Sequence, residues 1–237
     1  MRLIGVAGHS GTGKTTGFRN MPPAETVMVL PNNKTQLPFP GAKKNYTKYD
    51  KEKNTGNLIV SNNLRAIPKI LKDINDNRPE VKYILIDDFT HFFNAETRSD
   101  AFRARKGGGE AFARWDDFAA LVYKTVFEQA DIYREDLNVI VHFHVQESEG
   151  FDGPRIFLKT PGRLLDNQID LPSYFTYMLY TKVLAPSKDV KQEDRYKYVT
   201  NDDGTREAKT PYGCFKDLEI PNDMKLVIDT IDKYENG

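Results

Sequence analysis

The apolar run Leu3-Ile-Gly-Val-Ala7 passes without a break into Gly8-His-Ser-Gly-Thr-Gly-Lys-Thr15. That turn satisfies G-x-x-x-x-G-K-[ST], a pattern that has meaning only when a strand precedes it and a helix comes after it. The reason is mechanical. Glycines at 8, 11 and 13 let the backbone curl until successive N–H groups point inward and form an anion nest. A helix expected over Lys14 to Asn20 would aim its partial positive charge at the same point. Lys14 can then reach the β- and γ-phosphates of a nucleotide, and the Thr15 hydroxyl can join a Mg²⁺ shell. The stretch Gly8, His9, Ser10, Gly11, Thr12, Gly13, Lys14, Thr15 and Thr16 is the expected phosphate cradle.

The rest of the chain fits a sheet that carries such a loop. Further short strands are expected at Thr26–Leu30, Leu58–Val60, Tyr83–Asp87 and Asn138–Val145. Helical spacing occupies Leu64–Asn75, with Leu64, Ile67, Ile70, Leu71 and Ile74 on one face. A long amphipathic helix is expected from about Glu110 to Tyr133, with Phe112, Trp115, Phe118, Leu121, Val122, Val126 and Phe127 apolar. Strands spaced by helices predict an α/β fold with a mostly parallel sheet covered on both sides. After about Gly150 the texture changes. Tyr174–Leu184 and Tyr196–Thr200 read as an antiparallel hairpin region, and Asn222–Tyr234 as a helix capped by Asn222. The core is thus expected over 1–185, with 186–237 forming a hairpin and helix packed on it. Pro31–Thr55, rich in Pro, Asn and Lys, reads as a loop.

The cradle requires a carboxylate at the end of a buried strand, and Tyr83-Ile-Leu-Ile-Asp87-Asp88 offers two. Asp87 is expected to hold Mg²⁺ through water, because that ion dehydrates reluctantly; a strand-ending turn is its structural alternative. Asp88 has two readings: it polarises the attacking water, or it caps a helix over Thr90–Glu96. A further strand ends in His142, His144 and Gln146 on alternating positions. His144, with Gln146 as second choice, is expected to sense the γ-phosphate at the sheet's carboxyl edge, where ligands bind; a satisfied core histidine is the alternative.

Taken in order, GHSGTGKTT, ILIDDFTHFF, VIVHFHVQE, KTPGRLLDNQID and AKTPYGCF resemble phage-encoded ATP-binding proteins, the RecA-like, AAA-type P-loop ATPases of the single-strand-annealing recombinase group. The resemblance covers most of the chain. It implies a RecA-like core, hydrolysis of ATP, binding of single-stranded DNA, a role in phage recombination or replication, and self-assembly into a ring or filament with nucleotide near a subunit boundary. A phage single-strand-binding protein is an implied partner, and the host cytoplasm the implied location. The chain departs from the pattern where RecA-type enzymes place a catalytic glutamate, since the second core strand runs out as Leu30-Pro31-Asn32-Asn33-Lys34. The water-activating role falls to Asp88, and slow hydrolysis is expected.

Charge composition narrows the partners. Lys+Arg and Asp+Glu are 34 each, so any polyanion site must be local. Arg98, Arg103, Arg105 and Lys106 lie just before Gly107-Gly-Gly109, with Arg114 beyond. Arginines on such a segment suit phosphate contacts, and Phe102 offers a stacking surface; an ordinary solvated helix face is the alternative. The connection Glu147–Arg163, with Phe151, Arg155 and Lys159, is a second DNA candidate, opposed by Glu147, Glu149 and Asp152. Arg163, Arg206 and Lys209 are candidates for a positive charge supplied across a subunit boundary. The single Cys214 excludes an internal disulfide and a four-cysteine zinc site. With no apolar run near the roughly 20 residues of a membrane span, a soluble intracellular protein is expected. A P-loop small-molecule or nucleotide kinase, and a nucleotide-gated assembly module with negligible hydrolysis, are the competing functions.

Overall fold

The computed structural model describes residues 1–31, 36–128, 130–150 and 153–237. Its strands are β1 (Arg2–Ala7), β2 (Thr26–Leu30), β3 (Leu58–Val60), β4 (Tyr83–Ile86), β5 (Asn138–Phe143), β6 (Val145–Gly150), β7 (Gly153–Leu158), β8 (Tyr177–Val183), β9 (Tyr196–Val199) and β10 (Glu219–Pro221). Its α-helices are α1 (Ala42–Asn45), α2 (Ile67–Asn77), α3 (Phe89–Thr97), α4 (Asp100–Ala104), α5 (Glu110–Val122), α6 (Arg163–Asp166) and α7 (Met224–Asn236).

Eight strands form one sheet in the order β10-β9-β8-β1-β5-β4-β2-β3. From β8 to β3 the pairing is parallel, and β9 and β10 continue the sheet antiparallel. The fold is therefore mixed α/β, with a mostly parallel sheet and an antiparallel extension. The central strands β1, β2, β4 and β5 are apolar runs because both of their faces are covered. Over one face lie Leu64, Ile67, Leu71 and Ile74, the phenylalanines of α3, and Phe118 and Val122 of α5. Over the other lie Phe18, Met21 and the apolar stripe Met224, Val227, Ile228 and Ile231 of α7. Each such fully buried side chain contributes roughly 1.5–3 kcal/mol of transfer free energy.

Several sequence expectations are corrected by this packing. The segment after the glycine-rich turn forms only a 3-10 turn, Thr15–Phe18, in place of a helix over Lys14–Asn20. Gly17 and the nearby Pro22-Pro23 pair disfavour a longer helix. The strand expected over Asn138–Val145 breaks at His144, and the chain then enters a separate hairpin, β6–β7. Phe151 and Asp152 of that connection lie outside the described residues, as do Asn32, Asn33 and Lys34.

The long helix stops at Val122 and passes into a π-helical turn, Tyr123–Phe127. Phe112, expected in its apolar face, is 65% exposed. The cap of α7 is Asp223, whose side chain accepts from the Lys225 N–H, and not Asn222. β8 belongs to the parallel core through its pairing with β1, so only its far side is hairpin-like. Within the described part of Pro31–Thr55, α1 and a bridge between Asp50 and Thr55 replace a featureless loop.

Candidate functional site: the carboxyl edge of the central strands

β1 delivers the glycine-rich turn to the sheet edge between β8 and β5. The Gly8 N–H donates to the Phe143 carbonyl at the end of β5 (3.1 Å). A Cβ on Gly8 would stand 1.7 Å from the Thr181 hydroxyl of β8, so only glycine fits there. Gly13 adopts φ +94°, a left-handed conformation that other residues reach only with strain. Thr12 fastens the loop on both sides: its hydroxyl donates to the His9 carbonyl (2.7 Å) and lies 2.6 Å from the Thr181 hydroxyl. The Lys14 ammonium is buried and donates to the Gly8 and His9 carbonyls at 2.6 and 2.8 Å. His9, Ser10 and Gly11 are exposed at the tip.

Across the sheet edge, β4 ends and Asp87 comes directly after it, its N–H still donating to the Val29 carbonyl of β2 (2.9 Å). The Asp87 side chain is fully buried. One of its oxygens accepts from the Thr15 hydroxyl at 3.0 Å, and the other lies 2.8 Å from His142 Nδ1. Two segments 72 residues apart in sequence are thereby joined. The strand order explains how: β5 lies between β1 and β4, so its last residues stand between the glycine-rich turn and Asp87. His142 occupies that place on β5 and is fully buried, as is Asp87.

Asp88 takes the left-handed conformation (φ 58°, ψ 55°) and caps α3, accepting from the His91 N–H at 3.2 Å. Its second oxygen lies 3.2 Å from His144 Nε2, and the His144 N–H donates to the Thr90 hydroxyl (3.0 Å). The capping reading of Asp88 therefore describes its local role, and its other oxygen faces the histidine at the strand break. Gln146, the second candidate sensor, is exposed on β6. Two interactions have little or no sequence signature. His142 engages Asp87, for which the only sequence signal is the alternation of His142 and His144. His9 at the loop tip lies 3.1 Å from Glu147 of β6, which nothing in the sequence announces.

The donor set, a hydroxyl and a carboxylate in contact, with the loop's lysine tied to the loop's own carbonyls, suits a hard divalent cation and phosphate oxygens. Among the described residues no group of three or more His, Cys, Asp or Glu is placed to hold a metal ion by itself. Mg²⁺ needs no such cage, because it keeps waters and shares phosphate ligands. Two pockets of about 600 Å³ lie elsewhere, one between Gly213–Asp217 and α7 and one lined by residues of the segment 36–44 with Tyr46 and Leu58; neither is lined by a residue of Gly8–Thr16. A loop that binds by wrapping backbone amides around an anion requires no deep cavity.

The remaining candidates are scattered. Arg98, Arg103 and Lys106 are exposed. Arg105 is held by Glu110 and Asp117, both at 2.7 Å, which cancels its charge locally. Phe102 is not a stacking surface: it is buried against Trp115 and Phe118, with the Arg114 guanidinium 4.8 Å from its ring centre. Arg155 on β7 reaches Asp202 at 3.2 Å and Glu207 at 3.9 Å, while Lys159 stands just past the hairpin and its N–H donates to the His144 carbonyl. Arg206 is paired with Asp203 at 2.8 Å, whereas Arg163 and Lys209 are exposed. No helix among the described residues is long and apolar enough to cross a membrane.

No protein-family model matches the chain, and no curated protein matches its sequence.

Proposed function

We propose that this protein is a RecA-like P-loop ATPase that binds Mg·ATP at the Gly8–Thr16 loop and holds single-stranded DNA more tightly in that state. The observation that carries the reading is the hydrogen bond from Thr15 to a fully buried Asp87. It brings the hydroxyl and the carboxylate of the two predicted motifs to one point, one residue along the chain from Lys14. The insertion of β5 between β1 and β4, which sets His142 and His144 at that point, supports a RecA-like core.

In this reading the loop amides and Lys14 hold the β- and γ-phosphates, and Thr15 with Asp87 holds Mg²⁺. The ion supplies neutralisation of phosphate charge when bound. His142 fixes the Asp87 carboxylate in the orientation that faces Thr15. Asp88 and His144 form the pair nearest the place of an attacking water. Because the Asp88 carboxylate already serves the α3 cap, slow hydrolysis is expected, and a nucleotide-gated assembly module is the second reading that this observation favours.

For DNA, the exposed Arg98, Arg103 and Lys106 are the better contacts, and Arg105 and Arg155 the poorer, because neighbouring acids already neutralise them. Self-assembly, a phage single-strand-binding partner and the trans roles of Arg163, Arg206 and Lys209 rest on the resemblance. Turnover of ATP at fixed salt, with no DNA, single-stranded DNA and duplex DNA, tests the reading. Stimulation by single strands supports it. ADP formed only with a nucleoside monophosphate acceptor would replace it with a kinase, and tight ATP binding without turnover would replace it with the assembly module.

A further inference from the structure

The sheet gives the nucleotide a direction. Thr15 and Asp87 define where the Mg²⁺-bearing phosphates belong, on the β5–β4 side of β1. A triphosphate seated with that end toward Asp87 directs its ribose and base the opposite way, over the ends of β8 and β9. The residue standing there is Tyr196, the first of β9, paired with Val183 at the carboxyl end of β8. A Cβ on Gly13 would lie 3.1 Å from Tyr196 Cδ1, so the ring flanks the loop backbone directly.

The core does not demand this ring. Tyr198, two residues further along the same face, is fully buried, while Tyr196 is half-buried at the rim. A second observation marks the same wall. Asn222 is 3% exposed, its Oδ1 lies 3.1 Å from that Gly13 position, and neither amide atom has a hydrogen-bond partner among the described residues. An unpaired buried amide is costly and is retained where something satisfies it.

We propose that Tyr196 is the stacking platform for the base of the bound nucleotide, with Asn222 closing the wall behind Gly13. This rests on the ATP reading above. The test compares ATP, ribose 5-triphosphate and inorganic tripolyphosphate by calorimetry in Mg²⁺, for the wild type, Tyr196→Phe and Tyr196→Leu. Base–aromatic stacking predicts that Tyr196→Leu weakens ATP binding by about 5- to 150-fold and leaves tripolyphosphate unchanged, while Tyr196→Phe retains ATP affinity. Wild-type ATP should exceed ribose 5-triphosphate by a similar factor, a comparison that needs no variant to fold. The proposal is overturned if ATP and ribose triphosphate bind the wild type alike, or if Tyr196→Leu weakens ATP and tripolyphosphate equally. Should the wild type bind tripolyphosphate and ATP not at all, or neither ligand, the nucleotide reading itself fails and takes this one with it.

Discussion

The chain carries two glycine-rich segments that look alike on paper and differ in the fold. In Gly8–Gly13 the glycines answer to neighbours or to the backbone path: a side chain at position 8 would overlap the Thr181 hydroxyl, and Gly11 and Gly13 take φ +78° and +94°. In Gly107–Gly109 an added Cβ would meet nothing within 4 Å at any of the three positions, and only the φ of +52° at Gly108 asks for glycine within that segment. The first segment is glycine because the backbone must pass where a methyl cannot. The second lies in open space, with Gly108 at φ +52°, between α4, which carries the exposed Arg103, and the longer α5. On the proposed reading, the first segment would bind through its own amides and must be held in place by the sheet, whereas the second would act through long side chains and need only be presented.

The largest expected effect breaks the first segment. Gly8→Ala places a methyl on Thr181 and should abolish ATP binding in calorimetry, a loss of at least 100-fold, with Lys14→Ala giving a comparable loss. Gly8→Ala with wild-type affinity would show that the loop rearranges freely and that its register against β8 is irrelevant.

Next comes the anchor beneath the loop. His142→Ala removes a fully buried ring 2.8 Å from a fully buried carboxylate. Leaving a buried carboxylate without that hydrogen bond costs about 1–3 kcal/mol or more, which urea unfolding would register as a lower midpoint at an unchanged slope. A loss below about 1 kcal/mol would mean that Asp87 is held by Thr15 and its other neighbours without the histidine.

The same contrast explains how far the sequence is legible. β2 and β3 match their expected bounds to the residue, and Asp87 falls where the strand pattern requires, because strand periodicity and the P-loop spacing are local properties. The length of the helix after the loop is not legible: Gly17, the threonines and the Pro22-Pro23 pair act against it, while Lys14 and Arg19 favour it. The burial of Phe102 is also out of reach, since it depends on Trp115 and Phe118 arriving from the next helix. Nor can spacing reveal that Glu110 and Asp117 return along α5 to neutralise Arg105. Charge seen in sequence is formal charge, and only packing decides how much of it faces a partner.

If the protein binds single-stranded DNA as proposed, that distinction predicts a modest, separable effect. Removing one phosphate-binding cation should lower the slope of log K against log salt by about 0.7 for a single strand. Replacing Arg98 and Arg103 together by Ala should flatten the slope by roughly 1.4. Arg105→Ala should change it by less than half the effect of one such cation, because its guanidinium is already paired. Equal slopes for the two variants would erase the difference between exposed and neutralised cations and move the DNA site elsewhere.

The smallest effect tests whether the second segment is glycine for mobility or by tolerance. Gly109 precedes α5 with φ −61° and ψ −28°, a conformation that alanine adopts without strain. Gly109→Ala should therefore stabilise the protein by about 0.4–1 kcal/mol by restricting the unfolded chain, and leave ATP affinity unchanged. Single-stranded DNA affinity decides between the two explanations. If it holds within about twofold, the glycine is merely tolerated, and the cations of α4 act from a fixed frame. If it falls several-fold while unfolding free energy rises, the backbone at 109 must leave its helical conformation for the arginines to reach the strand, and the openness around Gly107–Gly109 is part of the DNA site.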